Sequence, residues 1–199
     1  YSGALDVTDG FNPAGTHIAS TRMRGVTRAA IYPSTGHNIF AGQGGLVNTS
    51  GESDSVFENG SFVYADLSQS GASTAGGSRP AAWAYLEAAC NDARGYPGRF
   101  SADHEGDALN RFDAQAFLPV VRGRVPLVLN IDRAADLRPA IRFQAENAPV
   151  TIMIEVGAEP WLVADSLVSA GIRVLLGPLR SLPAPSQKPP AQTAGPPPP

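Results

Sequence analysis

The chain has 199 residues, of which 43% are hydrophobic, and 15 basic side chains against 18 acidic ones give it a net charge of −3 at pH 7. This length and apolar content predict one domain with a substantial core. The charge balance, with no basic cluster, argues against nucleic-acid binding, and no apolar run approaches the roughly 20 residues needed to cross a bilayer.

The chain begins Tyr1-Ser2-Gly3, without an initiator Met or a basic and apolar leader. This start predicts that no signal peptide lies here and that the chain was cut out of something longer. The single cysteine, Cys90, excludes an internal disulfide and lies in an apolar helix-like stretch, which favours a buried thiol over a nucleophile. The compartment of a soluble protein of this kind stays open between a bacterial-type cytoplasm and periplasm.

The first part of the chain mixes short β-rich runs with loops. Asn12 is the predicted cap of a short helix over 14–24. Residues 34–45 (STGHNIFAGQGG) are predicted as a loop, because their glycines allow positive φ and close backbone approach. The segment 68–77 is predicted to be flexible and polar. Short strands are expected at three places: 27–32, 46–48 and 61–67.

The second part alternates helices with short apolar strands. Four helices are predicted: 78–94, 114–122 (capped by Asp113), 134–147 and 159–170. Three strands are predicted: 127–131, 150–155 and 172–176. This alternation is typical of parallel βαβ units, which doubly wound sheets and (β/α)8 barrels share. The final proline-rich segment, 183–199, predicts polyproline II or disorder.

Three segments, in order, resemble the imidazolonepropionase-like branch of the amidohydrolase superfamily. They are GVTRAAIYPSTGHNIFAGQGG (25–45), PLVLNIDRAADLRPAIRF (126–143) and TIMIEVGAEPWLVADSLVSAGIRVLLGPL (151–179). The resemblance implies an α/β fold, a partial (β/α)8 barrel over residues 1–182 with parallel strands alternating with helices. It also implies an active site at the carboxyl ends of the strands. There the family uses zinc or another divalent metal to activate water against non-peptide C–N bonds or dipeptides.

The positions that match the family's metal-binding side chains carry other residues here. The lysine after the family's GGQG loop corresponds to Asn48, the two histidines of its HAH motif to Asn130 and Asp132, and the histidine of its IEHG motif to Val156. The HxH pair of the first strand would precede Tyr1. Because a divalent ion needs imidazole and carboxylate ligands at about 2.0–2.2 Å, we expect no metal site and no cofactor in this chain.

Five residues remain as candidates for a site. Asp132 and Glu155, near strand ends, and His37, in a loop after a strand, are the candidate catalytic residues. Asn48 and Asn130 are the candidate substrate-binding residues. Structural roles compete with these: Asp132 could cap the following helix or pair locally, and the glycines of 42–45 could serve tight backbone packing instead of an anion cradle.

Two functional hypotheses follow. In the first, the protein is an amidohydrolase whose metal site is supplied by parts outside this chain or by a partner. In the second, which the residues favour, it is a non-catalytic homologue that assembles with an active amidohydrolase or with itself, or binds a small molecule. A half-open sheet would expose edge strands, so we expect an oligomer or a poorly soluble chain.

Overall fold

The protein forms a mixed six-stranded sheet with helices packed on one face. Its structure, a computed structural model, describes residues 2–101, 107–156 and 160–176. The strands lie in the order of the chain: β1 (Arg28–Ile31), β2 (Phe40–Asn48), β3 (Val56–Asp66), β4 (Leu127–Ile131), β5 (Ile152–Val156) and β6 (Arg173–Leu176). The α-helices are α1 (Thr16–Met23), α2 (Gln69–Thr74), α3 (Arg79–Arg94), α4 (Arg111–Val121), α5 (Ala134–Glu146) and α6 (Ala164–Ser169). Short 3-10 turns occupy Val7–Gly10, Gly98–Ser101 and Pro160–Val163.

The strands are not all parallel, which corrects one expectation. β3, β4, β5 and β6 are parallel to one another, whereas β1 pairs antiparallel with β2 and β2 antiparallel with β3. Only a short turn joins β2 to β3, and such a connection requires antiparallel neighbours. The result is half of an α/β barrel with an antiparallel edge, so the partial-barrel prediction is confirmed in its coarse form.

The glycine-rich segment is a strand and not the loop that was predicted. β2 begins at Phe40 and continues through the glycines to Asn48. A Cβ on Gly44 would come within 2.2 Å of the Phe62 ring, and one on Gly45 within 2.4 Å of the Thr8 methyl group. The glycines therefore allow close packing against β3 and against the first 3-10 turn, which is why this strand is poor in β-branched residues.

The helices form the outer layer and cover one face of the sheet. Leu127, Leu129 and Ile154 of the strands are fully buried against Leu86 and Phe117 of the helices. Because successive side chains of a strand point to opposite faces, the same strands direct other residues to the uncovered side. These form a second, smaller cluster: Ala41, Phe62, Tyr64, Val128 and the partly buried Met153. This uncovered side is called the inner face below.

Most helix predictions are confirmed, with differences at their ends. Ser78 caps α3 by accepting a hydrogen bond from the amide of Ala81. α4 is capped by Asn110 and not by Asp113, because the Asn110 carboxamide accepts from two amides of the first turn. The segment predicted as flexible contains α2, capped by Ser68. In the described ranges no helix is both long and apolar enough to cross a membrane. The predicted tail, 183–199, lies outside the described residues.

Candidate functional site

A row of polar side chains lies where three parallel strands end. Asp66, Asn130 and Glu155 are register partners on β3, β4 and β5. The Asn130 carboxamide donates to Oδ1 of Asp66 at 3.1 Å, and the Ser68 amide donates to the same oxygen at 2.9 Å. The carboxyl ends of parallel strands are where α/β folds place their binding sites. The structure thus joins two predicted residues, Asn130 and Glu155, with one that the sequence analysis missed, Asp66.

Two tyrosines hold the Glu155 carboxylate. The Tyr64 hydroxyl donates to Oε2 at 2.8 Å, and the Tyr32 hydroxyl lies 3.1 Å from Oε2 and 3.2 Å from Oε1. The two rings stack with centroids 3.9 Å apart and planes 7° from parallel. Tyr64 is buried within the sheet, while Tyr32, just after β1, is 40% exposed. Glu155 is therefore fixed in place and still reachable from the open side.

The electrostatics keep both hydroxyls protonated. Burial first, and then the neighbouring Glu155 charge, raise the pKa of Tyr32. Burial and the hydrogen bond to Glu155 raise the pKa of Tyr64 as well. Within the described ranges, no basic nitrogen lies within 4.0 Å of the Glu155 carboxylate. Neutral hydroxyl donors, and not a cation, stabilise this carboxylate.

Asp132 has a different environment, although it follows β4 directly. Arg79 at the start of α3 binds it with two hydrogen bonds, Nη1 to Oδ1 at 2.7 Å and Nη2 to Oδ2 at 3.2 Å. The backbone amide of Gln69 donates to Oδ2 at 3.2 Å. Arg79 also forms a salt bridge with Asp136 on α5. The hydrogen bond from Arg79 holds the pKa of Asp132 below its usual value. Asp132 thus joins α2, α3 and α5; α5 itself has no side-chain cap.

The other two candidates lie apart from this row. His37 is exposed in the segment before β2 and lines a separate cleft of about 380 Å³ together with Asn110 and Asp113. Asn48 is the last residue of β2 and pairs with Arg28. Because β2 runs antiparallel to β3, Asn48 lies at the opposite end of the sheet from Asp66. Its side chain accepts a hydrogen bond from the Ser50 amide at 3.0 Å.

A cavity of about 340 Å³ opens on the inner face, beside Glu155 and its two tyrosines. Its walls are mainly apolar and include Leu46, Phe62, Val128, Met153 and Leu175. Tyr32 lines it at one end, and Glu58 and Ser61 line it at the other. Glu155 does not itself line the cavity, but two residues that do line it adjoin it: Tyr32, whose hydroxyl bonds the carboxylate, and Leu175, its register partner.

The described residues contain no group of three or more His, Cys, Asp or Glu side chains placed to hold a metal ion. Around the polar row, each carboxylate already accepts hydrogen bonds from protein donors. Glu155 accepts from tyrosines, Asp66 from Asn130 and a backbone amide, and Asp132 from Arg79. Among the described residues at this end of the sheet, the carboxylates are therefore engaged by protein donors.

The fold and the polar row define an α/β half-barrel with a candidate ligand site at its strand ends. No family model matches the sequence, and no curated protein matches it significantly. Among solved structures, it is similar to an amidohydrolase from Thermotoga maritima MSB8, with a TM-score of 0.76 and 22% sequence identity. The match covers 89% of this chain and 49% of that one. The protein thus has an amidohydrolase-like fold, and it spans about half the length of the structure that it matches.

Proposed function

We propose that this chain forms part of an amidohydrolase-type barrel, in which it supplies a ligand-binding wall and not the metal centre. The complete barrel would hydrolyse non-peptide C–N bonds or dipeptides. The amidohydrolase-like fold supports the general class. The ordered motifs of the sequence support the imidazolonepropionase-like branch within it.

One observation carries the proposal: the carboxylates at the strand ends are bound by protein donors and not aimed at a common point. A divalent ion requires several lone pairs converging on it at about 2.0–2.2 Å. Here Arg79 binds both oxygens of Asp132, and hydroxyls of two tyrosines bind both oxygens of Glu155. The positions that match family histidines hold Asn130 and Asp132. We therefore propose that catalysis by this chain alone has been lost.

The same groups suit a polar small molecule. The Asn130 carboxamide and the Glu155 carboxylate offer acceptor oxygens, whereas the Tyr32 hydroxyl already donates to Glu155. An amide substrate presents an N–H donor to such oxygens. The row can therefore orient such a group while the apolar cavity below holds its hydrocarbon part.

The test measures metal content and hydrolysis on the same purified chain. Elemental analysis, zinc titration, and release of amine or ammonia from cyclic amides and dipeptides should show substoichiometric metal and no turnover. Asp132→Asn and Glu155→Gln should leave the metal content unchanged, as should the control Glu52→Gln in an exposed loop. Stoichiometric metal that disappears in either strand-end variant would refute the proposal.

A second candidate function is assembly with a partner, either an active amidohydrolase or a second copy of this chain. Specific support comes from the sheet: within the described part of the chain, β1 and β6 each pair on one side only. Unpaired edges offer backbone groups to another chain. Under this alternative, a partner would complete the barrel and supply its metal site.

A further inference from the structure

The cavity on the inner face has the size and lining of a small-molecule site. Its volume of about 340 Å³ falls at the lower end of the range of about 300–1,000 Å³ that is usual for ligand pockets. Phe62, Val128 and Met153 form its apolar wall. This combination suits a compact hydrocarbon body, such as one aromatic ring with a short side chain.

The charge around the cavity favours a cation. Glu155 adjoins one end, where the tyrosines donate hydrogen bonds but add no positive charge. Glu58 lines the opposite end. Arg173, the register partner of Met153, is exposed and, like Glu155, is not among the lining residues. Glu155 differs in being bonded to Tyr32, a side chain that does line the cavity. An anion would therefore meet negative charge at both ends, whereas an ammonium group would form a charge-assisted hydrogen bond.

The tyrosines also preorganise the site for this group. Tyr32 stacks on Tyr64 and lines the cavity. The hydroxyls of both tyrosines keep the carboxylate in place, and little ordering is needed when a ligand binds.

We infer that this cavity binds a small protonated amine, with the ammonium group on Glu155 and the apolar body against Phe62, Val128 and Met153. The inference deepens the proposed ligand-binding role by naming the ligand class, and it requires no hydrolysis.

The experiment compares three probes of nearly equal shape on the full chain: benzylamine, benzyl alcohol and benzoate. Calorimetry or ligand-observed NMR should show benzylamine binding at least about tenfold more tightly than benzyl alcohol, because only the amine gains a charge-assisted contact. Benzoate should not bind. Glu155→Gln should weaken benzylamine about tenfold and leave benzyl alcohol unchanged. Leu175→Ala should weaken both of these ligands alike, since it removes apolar wall.

Controls locate the ammonium group. Glu52→Gln, in an exposed loop, should change nothing, and circular dichroism should show that every variant is folded. Equal affinity for the amine and the alcohol, or full affinity in Glu155→Gln, would overturn the inference. A loss caused by Glu58→Gln instead would overturn it too, because the cation would then lie at the other end. None of these outcomes bears on metal content, so a failure here is distinguishable from a failure of the proposed function.

Discussion

The Tyr64 hydroxyl donates a 2.8 Å hydrogen bond to the Glu155 carboxylate, and this contact joins β3 to β5 across the strand between them. Both residues lie on the inner face, and the length of the tyrosine side chain lets its hydroxyl reach past β4. The Tyr64 hydroxyl loses water on burial and is compensated by this hydrogen bond, whereas the Glu155 carboxylate also has the Tyr32 hydroxyl as a partner.

Tyr64→Phe should lower the free energy of unfolding by about 1.5–3 kcal/mol, the usual range for a hydrogen bond to a charged group. Urea unfolding of Tyr64→Phe, Glu155→Gln and the double variant measures the coupling directly. Tyr96→Phe is the control, because its hydroxyl bonds the neutral Gln115 in an exposed pair. A coupling free energy of zero would show that the two side chains are adjacent without supporting each other.

The bond between Asp132 and Arg79 predicts a pH dependence of stability. The pKa of Asp132 is lowered in the folded state, so its ionisation stabilises the fold above its unfolded pKa of about 3.9. That contribution is lost as the pH falls through the lower, folded pKa. Asp132→Asn should therefore cost about 1 kcal/mol or less at pH 7, because the pair is partly exposed, and nothing in strong acid. Chemical unfolding from pH 7 to pH 2 measures this, with Asp54→Asn as the exposed control; a constant difference would contradict it.

Gly71 lies where α2 meets the end of β3. A Cβ there would come within 2 Å of the Asp66 carbonyl oxygen, which is far inside contact distance. Gly71→Ala should therefore push α2 away from the polar row and destabilise the protein by about 1–3 kcal/mol, as overpacking usually does. Gly10→Ala is the matched control, since nothing lies within 4 Å of a Cβ at that position. Equal melting temperatures for the two variants would show that α2 can shift to accommodate the added methyl group without a loss of stability.

Sequence patterns predicted the parts of the fold that depend on local periodicity. The strands and helices after residue 126 alternate clearly, so β4, α5 and β5 were placed correctly, and with them Asn130 and Glu155 at neighbouring strand ends. Only the end of β2, residues 46–48, was predicted as a strand; its glycine-rich part was missed because those glycines are explained by distant side chains such as the Phe62 ring on the next strand. The two tyrosines were missed because their contacts with Glu155 span 123 and 91 residues of sequence. A pattern along one segment carries no such information.

Asp132 also shows that a sequence pattern does not reveal distant partners. Its position after β4 was predicted correctly, and pairing with a nearby residue was considered as a structural role. Its partner Arg79, however, is 53 residues away in sequence. Only the packing of α3 beside α5 brings the two together. Asp66 could have been predicted as a site residue. It is the last residue of β3, and Asn130 lies one residue before the end of β4. A carboxylate at the end of a parallel strand is as good a candidate as an amide there.

Cys90 provides a test of the core. Its side chain is fully buried in α3, and burial raises the pKa of its thiol to about 12. Because the thiolate is the reactive form, we expect no reaction with a disulfide reagent such as DTNB at pH 8 in the native protein. One thiol per chain should react in urea. Rapid labelling without denaturant would mean that α3 does not pack as described.

The open edges of the sheet predict self-association. β1 is antiparallel to β2, and β2 to β3, so β1 runs in the same direction as β6. A copy related by a two-fold axis along the half-barrel could therefore place its β1 beside β6 in parallel orientation.

Light scattering should give a mass above the 20.7 kDa of one chain. Ala30→Lys, on the exposed edge strand, should shift the protein toward the monomer, because lysine discourages edge pairing. Ala88→Lys, on an exposed helix surface, should not. A monodisperse wild-type monomer with cooperative unfolding would contradict the prediction, and an unrelated co-purifying barrel protein would favour the partner over the second copy.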